Sequence, residues 1–138
     1  MAAIIVISTN FRLSTGASAA VGTAGEALDA FELVYLKASD NKLWLASNAT
    51  SAEAAFYGIV IQGAAADGFV SYVPASAGVF IESAGTPWTK GSTYIMGDVA
   101  GQMMDAADAG SGDFVTVVGT AVSTSKLQIV NAQTGVSV

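Results

Sequence analysis

The chain contains no cysteine and no histidine. The first absence removes disulfides, thiolate metal sites and thiol nucleophiles together, and leaves the redox compartment open. The second removes the commonest general base at neutral pH and the commonest transition-metal ligand, which closes most hydrolase and metalloenzyme mechanisms. Charge is scarce as well: charged residues make up 12% of the 138, about half the usual share in a soluble domain. Only five residues are basic against eleven acidic, for a formal charge of −6, and Arg12, Lys37, Lys42, Lys90 and Lys126 stand singly. Nucleic acid and anionic membrane surfaces are therefore not expected partners, because both draw on clustered Lys and Arg. The opening MAAIIVIS is too short for a membrane span and lacks the basic segment that precedes a secretory core, so no targeting signal is read.

What is present is small and apolar. Hydrophobic residues make up 52% of the chain and fifteen residues are glycine, so the surface must be rich in Ala, Gly, Ser and Thr, which suits close contact with other protein. The length fits one domain that buries about two thirds of the surface of its unfolded chain.

Residues 9–25 are small, polar and glycine-punctuated, and the first acidic residue is Glu26. This step in composition divides an N-terminal arm, 1–25, from a domain, 26–138. The arm reads either as a flexible leader or as a segment that docks on a neighbouring subunit, and the apolar run Ile4, Ile5, Val6, Ile7 favours docking, since an unpaired apolar strand invites aggregation.

From Leu33 onward the pattern is strand, turn, strand. Residues 33–36 and 42–45 make a hairpin around Ser39-Asp40-Asn41, whose side chains can bond their own backbone. Residues 56–61 and 69–73 make a second pair; 79–81 is a short strand; 93–96 and 99–104 flank a Gly97-Asp98 turn; 114–122 and 127–130 close the domain. In GDFVTVVGTAVSTSKLQI, strict alternation puts Phe114, Thr116, Val118, Thr120 and Val122 on one face and Val115, Val117, Gly119, Ala121 and Ser123 on the other, with Gly119 as a bulge or bend. One short helix is expected over 51–56, where Thr50 and Glu53 fit a capping box; 102–109 reads as strand then loop. About ten short strands with turn signals about every eight to twelve residues predict an all-β fold, a compact antiparallel β-barrel or β-sandwich with an extended N-terminal arm. Glu32-Leu33-Val34-Tyr35-Leu36 before Lys42-Leu43 echoes Asp113-Phe114-Val115-Thr116-Val117 before Lys126-Leu127, as shared hairpin grammar or as a duplicated unit.

Candidate chemistry is sparse. Asp105, Asp108 and Asp113 in DAADAGSGD are of the right type for a hard cation such as calcium but do not match an EF-hand spacing, and they read as a solvated acidic loop. Glu26, Glu32, Glu53 and Glu82 could in principle pair for glycosidase chemistry, yet no spacing selects a pair. Asn48-Ala49-Thr50 matches a glycosylation acceptor. No catalytic residue, metal or cofactor is assigned.

Gly25-Glu26-Ala27-Leu28 running into Leu33-Val34-Tyr35-Leu36, the return Lys42-Leu43-Trp44-Leu45-Ala46, Gly58-Ile59-Val60, Lys90-Gly91-Ser92-Thr93-Tyr94 and Gly112-Asp113-Phe114-Val115-Thr116-Val117-Val118-Gly119-Thr120-Ala121, taken in order, resemble the small capsid decoration, or cement, proteins of tailed bacteriophages. The chain departs from that pattern at Asp29-Ala30-Phe31-Glu32, where a glycine-acid turn like Gly112-Asp113 is expected. The resemblance implies a β domain, commonly trimeric, on the outside of an icosahedral head, made in the bacterial host cytoplasm. There it would bridge neighbouring major-capsid subunits, without catalytic residues. The residues expected to meet the capsid or a second subunit are Ile4, Ile5, Val6, Ile7, Phe11, Arg12 and Leu13 in the arm, and Trp88 at a loop tip between Pro87 and Thr89. The alternatives are a carbohydrate- or small-ligand-binding β-barrel that uses Trp44, Trp88 and the tyrosines, and a hydrolase that works with carboxylates alone.

Overall fold

The computed structural model describes residues 4–6, 11–14, 18–76 and 79–137. They form an all-β fold of two antiparallel sheets. In chain order the strands are β1 (Ile4–Val6), β2 (Phe11–Ser14), β3 (Ala20–Thr23), β4 (Leu33–Lys37), β5 (Lys42–Leu45), β6 (Gly58–Gln62), β7 (Phe69–Pro74), β8 (Phe80–Ser83), β9 (Thr93–Met96), β10 (Met103–Asp105), β11 (Phe114–Ser123) and β12 (Lys126–Ser137). One sheet has the order β1-β2-β8-β12-β11-β9-β10 and the other β3-β7-β6-β4-β5.

The five-stranded sheet curls on itself. Ala24, just past β3, bridges Leu43 of β5, and Gly25 N–H donates to the Leu43 carbonyl at 2.8 Å. The curl gives this sheet two buried faces. Ala24, Leu28, Val34, Leu43, Val60, Val70 and Tyr72 pack together on one. Leu33, Tyr35, Ile59 and Val73 on the other meet Leu13, Ile81, Met96, Val118, Leu127 and Ile129. A strand covered on both sides has no polar face to alternate, which is why β4 and β6 read as the unbroken runs LVYL and GIVI. In the first half of β12, by contrast, Leu127 and Ile129 point inward and Lys126 and Gln128 stay partly exposed.

The residues read as an arm are built into the fold wherever they are described. β2 lies between β1 and β8, with Leu13 opposite Ile81, and β3 is an edge strand of the five-stranded sheet paired with β7. Leu13 is fully buried. The step in composition near residue 25 thus does not coincide with a structural boundary.

Three local expectations change. Residues 51–56 form a single turn rather than a helix: Ala54 N–H donates to the Thr50 carbonyl at 3.0 Å, and Phe56 then enters the core. Half of the capping box is present, with Glu53 N–H on Thr50 Oγ1 at 3.1 Å, but the Glu53 carboxylate accepts from the Ser47 hydroxyl instead of reaching back. The one helical segment among the described residues is a 3-10 turn, Ala106–Asp108, capped by the Asp105 carboxylate. In β11 the bulge falls at Gly119 as expected, with register slips toward both neighbours, but it also shifts the alternation. Thr116 and Val118 face inward before the bulge and Ala121 after it, while Val122 is exposed. Only glycine fits there, since a Cβ would stand 2.2 Å from the Gln128 carbonyl oxygen.

Candidate functional site

Five four-residue turns among the described residues share one design: the fourth N–H bonds the first carbonyl, and the third residue has positive φ. Glycine supplies that left-handed position without a Cβ clash. Gly91, Gly101 and Gly112 fill it in three turns and Asp67 in a fourth. In the fifth, residues 29–32, it is Phe31, at φ 69°, where an L side chain costs about 1–2 kcal/mol.

The surroundings hold Phe31 in place. Its N–H donates to the Val60 carbonyl at 2.7 Å, and its ring stacks on Phe11 with centroids 3.9 Å apart and planes 10° from parallel. Phe11 in turn meets Trp88 edge-on at 6.2 Å. With Tyr94, Met103 and Glu32 these rings line a cleft of about 360 Å³, a size that small-ligand sites occupy.

Glu32 is the one ionisable carboxylate in that lining. Its Oε1 accepts from Asp29 N–H at 2.6 Å, and its Oε2 lies against Gly101, another lining residue. Burial raises its pKa above the ordinary carboxylate value; the Asp29 N–H bond opposes the shift, and the charges of Asp29 and Glu26 add to it.

The expected interface residues scatter. The backbone of residues 4–6 pairs with β2 in β1, and Ile7 lies outside the described residues. Arg12 makes a 3.5 Å ion pair with Glu82 across the β2–β8 ladder, and Leu13 is in the core. Trp88 is a correction: it is not an exposed loop-tip anchor but only 6% exposed. Its loop is tied down where Trp88 N–H donates to the Thr124 carbonyl at 3.2 Å and Thr89 N–H to Tyr94 Oη at 2.8 Å, and this turns the indole inward. Of the expected set, Phe11 and Trp88 come together in the cleft. Of the residues that complete it, Glu32 was a candidate carboxylate and Tyr94 one of the candidate ligand-binding tyrosines, while Phe31 and Met103 were not singled out as site residues. The signal that pointed there was the missing glycine at 29–32.

Other candidates are committed to local bonds. Asp105 caps the 3-10 turn, Asp113 Oδ2 accepts from Gly110 N–H at 2.7 Å, and Glu26 accepts from Leu45 N–H at 3.1 Å. No group of three or more Asp and Glu side chains able to hold a metal occurs among the described residues. Asn48 is only 3% exposed, so the glycosylation acceptor is sterically closed in the folded chain. Trp44 is no open platform either: Lys37 Nζ sits 4.4 Å from its ring centroid, its Nε1 faces Asp40 at 3.1 Å, and Gly25 packs against it.

The strongest apolar exposure is at the β3–β7 edge, where Phe69 is 83% and Val21 68% exposed. Val21 pairs with Ser71 and Phe69 with Thr23, so the two side chains are diagonal neighbours on one face. That face of β7 continues to Val73, which is in the core between the sheets.

No protein-family model and no curated protein matches the chain.

Proposed function

We propose that the protein is a capsid decoration protein: a homotrimer that binds the outer surface of an icosahedral phage head and bridges neighbouring major-capsid subunits. The observation that carries this reading is the outward pair Phe69 and Val21 on the exposed end of the β3–β7 face, in a chain with little charge to keep such a surface apart from other protein. Burying side chains of this kind is worth about 1.5–3 kcal/mol each. A contact that small becomes effective when threefold symmetry and many lattice sites repeat it. The order of strand segments that resembles the decoration family supports the same reading.

The arm contributes differently from the expectation. Leu13 is in the core, so removing residues 1–13 would damage the fold along with any contact, and the informative variant lies on the β3–β7 edge. The purified protein should have the mass of a trimer in solution and should saturate cognate expanded heads in co-sedimentation. The double variant Val21→Ser, Phe69→Ser should bind those heads at least about tenfold more weakly. A monomer that leaves the heads undecorated, or a double variant that binds undiminished, would overturn the proposal.

A further inference from the structure

The cleft has a recognisable chemistry of its own and uses neither Val21 nor Phe69, the pair that carries the proposed capsid contact. The rings of Phe11, Phe31, Trp88 and Tyr94 are in its lining, with Phe11 and Phe31 stacked on each other, and its charge is the Glu32 carboxylate. No lysine or arginine lines it, and neither of the two ion pairs among the described residues, Arg12–Glu82 and Lys42–Asp67, involves Glu32. The carboxylates of Asp29 and Glu26 are near enough to act on Glu32 electrostatically. An aromatic cleft with a negative rim is complementary to a cation that has an apolar body.

The polar geometry narrows the class of cation. Glu32 Oε1 is engaged by Asp29 N–H and Oε2 lies against Gly101, so the carboxylate does not present two free oxygens as a matched pair. That disfavours a guanidinium, which is best held by a two-oxygen fork. Tyr94 Oη already accepts from Thr89 N–H, and Gln102 is the one side-chain amide in the lining, short of the several hydrogen-bonding side chains that would orient a sugar. A quaternary ammonium needs none: it presents a diffuse positive charge on methyl groups and gains from ring faces and from one nearby carboxylate oxygen. The strain at Phe31 fits this use, since a bulky residue held at φ 69° marks a place where the side chain's position matters more than backbone comfort.

We propose that the cleft formed by Phe11, Phe31, Trp88 and Tyr94 with Glu32 binds a quaternary ammonium group.

The test uses the full chain carrying Trp44→Phe, which leaves Trp88 as the only tryptophan. Titration with choline and with phenyltrimethylammonium should change Trp88 emission saturably. The uncharged isostere 3,3-dimethyl-1-butanol should bind about tenfold more weakly, the discrimination that a desolvated cation–π site supplies. Glu32→Gln keeps the acceptor for Asp29 N–H while removing the charge, and should weaken choline binding about fivefold or more. Phe31→Gly should abolish the response, and if that variant folds poorly the Glu32→Gln comparison still decides. Phosphatidylcholine vesicles form a second arm: co-flotation in addition to choline binding assigns the group to a lipid headgroup, and choline binding alone assigns it to a free ligand. No saturable change, equal binding of the neutral isostere, or an unchanged Glu32→Gln titration would each overturn the proposal, whatever the outcome on capsids.

Discussion

Two turns in this molecule have the same skeleton and different purposes. Residues 29–32 lead into β4 and residues 110–113 into β11. In each the fourth N–H bonds the first carbonyl, at 3.4 and 3.2 Å, and the fourth residue's carboxylate accepts from the first N–H, at 2.6 and 2.7 Å. In each the third residue is left-handed, at φ 69° and 89°. In the second turn that residue is Gly112, and a Cβ there would touch nothing within 4 Å. In the first it is Phe31, whose ring stacks on Phe11 and walls the cleft. The glycine turn reverses the chain at no conformational cost. The phenylalanine turn accepts strain and in return places a ring.

The largest effect expected from breaking this comparison is at Phe31. Phe31→Ala keeps the strained backbone and removes the stack. Truncating a fully buried Phe costs about 3–5 kcal/mol, and for this half-buried ring we expect about 2 kcal/mol in urea unfolding. Phe31→Gly removes the same ring but relieves the left-handed strain, so it should be about 1 kcal/mol milder than the alanine variant. That reverses the usual order, in which glycine is the more damaging replacement. If glycine proves the worse of the two, the turn carries no strain worth relieving.

At the companion turn the same physics runs the other way. Gly112→Ala adds a methyl group in open space, so only the backbone can object, and the expected loss is about 1 kcal/mol by the same measurement. A neutral Gly112→Ala would mean that the turn relaxes to another shape, and the match with residues 29–32 would lose its force.

The comparison also explains what the sequence could and could not reveal. The repeated acid-strand pattern at 32–36 and 113–117 was visible as an echo, and it marks real structural equivalents because the carboxylate that closes each turn sits at a fixed offset from the strand. Gly119 was readable as a bulge because a glycine inside an apolar alternation has few other uses. The face of Ala121 was misassigned, because a bulge shifts the period by one and the count alone does not show the shift. Trp88 was misread for a different reason: a tryptophan between proline and threonine has no periodic neighbours, and its burial depends on the distant Thr124 carbonyl and Tyr94 hydroxyl. The cleft was illegible as a unit, since its rings at 11, 31, 88 and 94 are contributed by separate segments of the chain.

The smallest expected effect separates the two turns by electrostatics and concerns Glu32. Burial, reinforced by Asp29 and Glu26, raises its folded-state pKa above the ordinary carboxylate value. The folded chain therefore holds this proton more tightly than the unfolded chain. Stability contributed by the protonated group is complete below the unfolded value and is lost as pH rises through the folded one. Glu32→Gln preserves the bond from Asp29 N–H and has no proton to lose. Between about pH 4 and about pH 7 the melting temperature of the wild type should therefore fall relative to that of Glu32→Gln, leaving the variant equal or slightly more stable at neutral pH. The change should be small, because Glu32 is only half-buried and solvent screens its charge. A variant that is less stable at pH 7 and whose difference from wild type does not vary with pH would mean that the ionised carboxylate does structural work in the turn. The negative charge at the cleft would then be a by-product of closing the turn and not a feature that Glu32 maintains at a cost to the fold.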